Sequence, residues 1–250
     1  IINRWFMITG ALMPLAVPAF FSILLFIPQY LEKFYGYRPL DSGAALVPML
    51  LTFALTAPVS GTIYNRLGPR LSIFTGMVLL CVGTVLILMF GFSGSYAGMV
   101  PGLVLFGVGV GFSIPSITTA AVGAVDEART SLAGGIIYMF ELAGGALGLS
   151  IITTIFTDAV RKDIAVRLTE LGFTLTGAQK SDLLDFILGS GSRERLVSEL
   201  GPDKLNTVFS HVRESFVTGL QEGLGFAAVI LALGAVFTLI FIEGKKRSNA

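Results

Sequence analysis

The chain has 250 residues, 54% of them hydrophobic and only 13% charged, with a formal net charge of +1. Ordinary soluble domains carry about 25% charged residues, so this composition, with a mean hydropathy of +0.82, excludes a soluble domain and marks an integral membrane protein. The near-neutral balance offers nucleic acid no basic surface, and the single cysteine, Cys81, excludes a disulfide framework and a paired-cysteine metal site.

A spanning helix needs about 20 mostly apolar residues, because hydrocarbon leaves backbone groups no partners except one another. Six stretches qualify, at approximately 5–31, 42–64, 71–90, 97–122, 131–156 and 223–242. None alternates in polarity as barrel strands do, so the predicted fold class is an all-α membrane protein. Ile1 stands where Met would begin a chain, and the expectation is a piece of something longer.

The first two spans carry proline pairs, Pro14 with Pro18 and Pro48 with Pro58, which bend helices where neighbours or water satisfy the freed carbonyls. Between the second and third spans lies GTIYNRLGPR, residues 61–70, whose Gly68-Pro69 predicts a tight turn. Arg66 and Arg70 sit at headgroup level there, as topology anchors or as partners of helix carbonyls. The fourth span holds VLFGVGVGFSIPS, residues 104–116. Its Gly107, Gly109 and Gly111 lie inside an apolar run, which removes the strand–turn–helix setting a phosphate loop requires. With Pro115 they serve close helix packing, a flexible gate, or both.

The fifth span, SLAGGIIYMFELAGGALGLS at 131–150, places Gly134, Gly135, Gly144, Gly145 and Gly148 at spacings that suit a tightly packed face. Among them is Glu141, about 15 Å from Ser131 and so near mid-bilayer. A charged carboxylate there costs at least ~2.5–3.5 kcal/mol and must face a cavity, a partner or other polar groups. Glu141 is either a proton-coupling or substrate-binding carboxylate, or a structural hydrogen-bonding group.

The 157–222 segment is the one large polar piece. Val160, Ile164, Leu168 and Leu171 recur at helical spacing, Thr176 and Gln179 form a capping box, and Leu205, Val208, Phe209, Val212 and Phe216 mark another amphipathic helix. It reads as a helical cap on the outer surface, or as a lid or docking module.

Lysine and arginine in the short connections set orientation. Placing both ends in the cytoplasm puts Arg4, Arg66, Arg70, Arg129, Lys245, Lys246 and Arg247 inside and leaves only Lys33 and Arg38 in the short outer turns. Catalytic constellations are missing: His211 is the only histidine, and there is no HExxH, GxSxG or Walker motif. The sequence predicts no enzyme, no metal and no cofactor.

Gly61, Arg66, Gly68 and Arg70 resemble the loop signature of the major facilitator superfamily, glycine-x-x-x-aspartate-arginine-x-glycine-x-arginine, with Asn65 in place of the aspartate. DSGAALVPMLLTFALTAPVSG, LFGVGVGFSIPS followed by VDEARTSLAGG, and SFVTGLQEGLGFAAVILALGAVFTLIF are similar to blocks of its fourteen-helix drug:proton antiporter branch. The resemblance implies the C-terminal six-helix half of a major-facilitator-type bundle, with 157–222 extracellular before the last span. It implies a second, N-terminal half as partner, plasma-membrane location, and export of small lipophilic compounds by alternating access against a proton gradient. A cavity would be lined by the first, second, fourth and fifth spans, with Met13, Phe20, Phe53, Phe112, Met139 and Phe140 either lining it or facing lipid or core. Asn65 cannot make the charge pairing attributed to the signature's acid. A lipid exporter or uptake symporter shares the fold, and a non-transporting sensor or scaffold is a different class.

Overall fold

A computed structural model describes residues 3–92, 95–170 and 202–243. Among them all regular structure is helical: α1 (Arg4–Gly10), α2 (Met13–Tyr35), α3 (Pro39–Ala44), α4 (Val47–Leu67), α5 (Pro69–Phe90), α6 (Val100–Val122), α7 (Thr130–Glu170) and α8 (Pro202–Phe241). Six helical stretches of the described residues are long and apolar enough to cross a membrane: Arg4–Tyr35, Pro39–Leu67, Pro69–Phe90, Tyr96–Val122, Glu127–Arg167 and Ser210–Phe241.

The prolines explain why the first two spans are each built from two helices. The breaks fall at Ala11–Leu12 and Ala45–Leu46, and in both cases the next helix carries a proline in its first turn, Pro14 or Pro48. Proline starts a helix well, but it cannot donate to the carbonyl four residues back and its ring crowds that carbonyl. One carbonyl at the second break, that of Ala45, accepts from the Tyr96 hydroxyl at 2.8 Å. Pro18, Pro28, Pro58 and Pro115 stay inside continuous helices.

Helix α6 packs between α4 and α5, and glycines set the separation. A Cβ on Gly83 of α5 would lie 2.6 Å from the Phe106 nitrogen, and one on Gly109 of α6 would lie 2.5 Å from the Leu80 nitrogen. On the other flank of α6, Gly107 abuts the Met49 carbonyl and Thr52, and Gly111 abuts Thr56. Polar side chains then bridge the close backbones. The Thr52 hydroxyl donates to the Val104 carbonyl at 3.2 Å, and the Ser72 and Ser116 hydroxyls lie 2.7 Å apart. Without a hydrophobic drive between helices in lipid, such small-residue approach and hydrogen bonding hold spans together.

The fifth-span glycines divide into two groups. Gly144 meets Pro14, Gly145 meets Phe21 and Val17, and Gly148 meets Pro18, so this run seats α7 on α2. Gly134 and Gly135 have nothing within 4 Å of a Cβ position. The expectation of one packed face across all five is corrected: the spacing is right, but the first two lie where no described helix approaches.

The 157–222 segment is also corrected in its described parts. Helix α7 runs unbroken past residue 156 to Glu170, and α8 begins at Pro202, so both flanks extend the fifth and sixth spans instead of forming a separate cap. No proline interrupts either helix after its start, and the apolar rows continue in register. Val160, Ile164, Val212 and Phe216 are buried where α7 and α8 pack together. Arg167 donates to Asp163 at 2.6 Å and also to Glu214 across the helix pair. Thr176, Gln179, Leu171 and the tail residues Lys245, Lys246 and Arg247 lie outside the described residues.

Two spans remain largely uncovered. Only 17% of the apolar window in Pro39–Leu67 and 22% of that in Glu127–Arg167 is buried, against 61% for Arg4–Tyr35. Leu51, Leu55, Val59, Met139, Leu147 and Ile151 are among the exposed side chains.

A Gly83→Val substitution is expected to destabilise the protein by about 1–3 kcal/mol, as overpacking does, and to lower its unfolding midpoint in detergent. Gly135→Ala, in open space, is expected to be neutral or to stabilise by about 0.5–1 kcal/mol through helix propensity. Equal midpoints for the two variants would contradict the packing assigned to the α5–α6 seam.

Candidate functional site

The stretch 61–70 is mostly helix, with the tight turn at Gly68-Pro69 reduced to a single residue. Helix α4 continues to Leu67 and α5 starts at Pro69, leaving Gly68 alone between them. Gly68 has φ 88° and ψ 169°, a conformation open to glycine and strained for other residues. Its N–H donates to the Tyr64 carbonyl at 2.8 Å, and Pro69 then begins α5 without needing a donor. Arg66 lies in the last turn of α4, where a cation complements the helix dipole. Arg66, Arg70 and Asn65 are exposed, and Gly61 is an exposed helical residue.

Just above this joint, α4 and α6 border a half-open cavity of about 220 Å³ lined by Ala57, Pro58, Ser60, Gly61, Tyr64, Pro115, Ser116 and Thr119. The two in-helix prolines of facing helices therefore meet at one level. The sequence reading named Pro58, Gly61 and Pro115 without bringing them together. Ser60, Tyr64, Ser116 and Thr119 were missed, because hydroxyls scattered in apolar runs give no spacing signal.

Glu141 lies on the α7 face that also carries Ile137, Gly144, Gly145 and Gly148. Gly10 packs against Ile137 and Phe140, while Pro14 packs against Gly144. Glu141 is therefore level with the α1–α2 break, where Pro14 cannot donate to the Gly10 carbonyl. The residue is half-buried and makes no hydrogen bond or ion pair with another described residue. The structural hydrogen bond considered from sequence is thus absent among the described residues.

The predicted cavity-lining side chains do not converge. Met13 is fully buried with 0% exposure and belongs to the core, the second of the two placements open to it: it follows the break directly and packs inward. Met139 is 69% exposed on α7. Phe20, Phe53, Phe112 and Phe140 are half-buried. None of the six lines the α4–α6 cavity.

At the opposite end from Gly68, an aromatic cluster joins α2, α7 and α8. Tyr30 is fully buried, with ring centroids 5.0 Å from Phe92 and 5.9 Å from Phe216, and Phe216 lies 4.9 Å from Phe156. Arg213 donates to the Tyr30 hydroxyl at 3.1 Å and the Tyr35 hydroxyl at 3.3 Å. Its guanidinium lies 5.9 and 5.5 Å from the same rings. These partners are 183 and 178 residues apart in the chain, so no local pattern announces them. Among the described residues no cluster of His, Cys, Asp and Glu could hold a metal.

The model of the Major Facilitator Superfamily matches residues 1–149. The chain belongs to the major facilitator superfamily. Several curated relatives of this superfamily member are named for drug resistance or export. It is 26% identical over 218 residues to "Multidrug resistance protein Stp" of Mycobacterium tuberculosis, covering 86% of this chain and 40% of that protein. It is 22% identical over 240 residues to "Multidrug transporter protein MdtP" of Bacillus subtilis, covering 92% and 44% respectively. Against the "Tetracenomycin C resistance and export protein" of Streptomyces glaucescens it is 25% identical over 237 residues, covering 91% and 43%. The chain thus spans less than half the length of these relatives. Gly61, Asn65 and Arg66 lie in the last two turns of α4 and Arg70 in the first turn of α5, the two helices being joined by Gly68 alone.

Gly68→Ala places a side chain at φ 88° and is expected to cost about 1–3 kcal/mol. Gly61→Ala, seven residues earlier in open space, is expected to be silent. Unfolding midpoints of both variants check this. A silent Gly68→Ala would mean that the joint relaxes without strain.

Proposed function

We propose that this multi-pass membrane protein acts in the export of small lipophilic compounds, driven by proton antiport, by alternating access between this bundle and a second helical half. Relatives named for multidrug resistance, multidrug transport, and tetracenomycin C resistance and export support the substrate class. The uncovered faces of Pro39–Leu67 and Glu127–Arg167 support a second half: large exposed apolar patches rimmed by polar groups are docking surfaces or lipid contacts. Both helices turn residues toward whatever stands opposite, and α4 and α7 are the two spans that this bundle covers least.

The observation that carries the coupling reading is the position of Glu141. A carboxylate at this depth is costly when ionised without a partner, and it stands beside a helix break with a carbonyl that Pro14 cannot serve. In the protonated state Glu141 has a donor for such a carbonyl; in the ionised state it has none and requires water or a cationic substrate. Proton loss therefore alters how α7 sits against the broken first span, which is the kind of two-state element that coupling requires. The orientation proposed has the Gly68 joint and the C-terminus in the cytoplasm, in agreement with Arg66 and Arg70 beside that joint. The protein would reside in the plasma membrane, with no cofactor beyond the proton gradient.

Cells or vesicles holding the intact protein are expected to extrude a lipophilic cationic dye, and a protonophore should stop the extrusion. Glu141→Gln is expected to lower the proton-driven rate by about tenfold or more while leaving the protein folded, in line with loss of a group that acts only in the coupled step. Glu141→Asp should retain part of the rate. Export that continues at full rate and full pH dependence in the glutamine variant would refute the coupling role, and absence of dye movement in the parent would refute the transport reading.

A further inference from the structure

Arg213 presents an unusual charge balance. Among the described residues its only hydrogen bonds go to two neutral phenols, those of Tyr30 and Tyr35, and no described carboxylate pairs with it. Guanidinium carries five N–H donors, and the phenols engage only Nε and one Nη2 donor, so among the described residues the remaining donors are untaken. The guanidinium lies 5.9 and 5.5 Å from the centroids of the Tyr30 and Tyr35 rings.

These donors border an opening of about 350 Å³ lined by Phe92, Ser210, Arg213, Glu214 and Val217. Ser210, Arg213, Glu214 and Val217 share one face of α8, at i, i+3, i+4 and i+7. Phe92 lies two residues past the end of α5, and tyrosines beside a span's end mark headgroup level. The opening is therefore at the membrane–water interface. Val82, Val85 and Met89 share one face of α5, which ends two residues before Phe92, and are exposed to 42, 38 and 67%. A polar opening with a cation that no described carboxylate neutralises, an acid and an apolar stripe on the neighbouring span matches an amphiphile better than a water-soluble ion.

We propose that this opening binds the headgroup of a membrane phospholipid that carries both a phosphodiester and a primary ammonium. Arg213 receives the phosphate through its remaining donors, the geometry in which guanidinium outperforms ammonium. Glu214 receives the ammonium. That carboxylate already accepts from Arg167, but two oxygens offer about four acceptor sites. One acyl chain follows Phe92, Met89 and Val85. The site lies at the far end of the bundle from the Gly68 joint and involves none of the residues assigned to transport, so it stands or falls separately.

Native mass spectrometry of the intact protein, given phosphatidylethanolamine and phosphatidylglycerol of identical acyl chains, reads the site directly. Phosphatidylethanolamine should be retained preferentially. Arg213→Gln is expected to reduce its retention about tenfold, the scale of one charge-assisted contact. Glu214→Gln, at an exposed position, should abolish the preference between the two lipids while leaving phosphate retention. If Arg213→Gln fails to fold, the Glu214→Gln result decides alone. Equal retention of both lipids by the parent protein, or an unchanged preference in the Glu214 variant, would overturn the proposal. Displacement of the lipid by soluble phosphoethanolamine at equal concentration would also overturn it, assigning the opening to a free solute instead.

Discussion

The fourth spanning helix can lie between the second and third only because both its flanks are free of side chains where they touch. Gly109 and Gly102 face α5, Gly107 and Gly111 face α4, and Gly76 and Gly83 of α5 answer from the other side. In hydrocarbon, burial of apolar surface gives helices no reason to prefer each other over lipid, so the depth of approach decides what dispersion and hydrogen bonding can contribute. The Thr52–Val104 and Ser72–Ser116 contacts form only at that short separation. Much else follows from the seam: it aligns Pro58 with Pro115 beside a half-open cavity.

A second seam, α7 on α2, works differently. Here glycines on one helix receive prolines from the other: Gly144 takes Pro14 and Gly148 takes Pro18. The same prolines that interrupt the first span also fill the groove of the fifth, so the place where the backbone is least regular is also firmly held. Glu141 belongs to this seam, at the level where regular hydrogen bonding in the first span lapses.

Six spans and their approximate limits were legible from hydropathy, since solvent forbids other ways of crossing. The third was read as 71–90 and runs Pro69–Phe90. Hydropathy did not reveal where helices continue beyond lipid. The fifth and sixth spans were cut at 156 and 223 because polarity rises there, yet α7 and α8 extend to Glu170 and back to Pro202, since water changes which residues a helix prefers but does not end it. Glycine spacing found the α7 face but not which part of it meets a neighbour, so Gly134 was grouped with Gly144. Met13 was read from its flexible side chain, a property that suits cores and pockets alike. The Tyr30–Arg213 contact depends on two helix ends meeting, and only the folded chain brings them together.

Gly68 joins α4 to α5 with no residue to spare. A longer turn would absorb motion, letting one helix tilt while the next stays still. A single residue behaves as a pin joint: it allows rotation about its own dihedrals but transmits translation completely. The second helix is lightly covered and the third is locked to the fourth through glycine contacts. A push on the exposed face of α4 is thus passed at its pinned end into the most tightly packed part of the bundle, while its other end stays tied through Tyr96 to the Ala45 carbonyl and through Thr52 to α6.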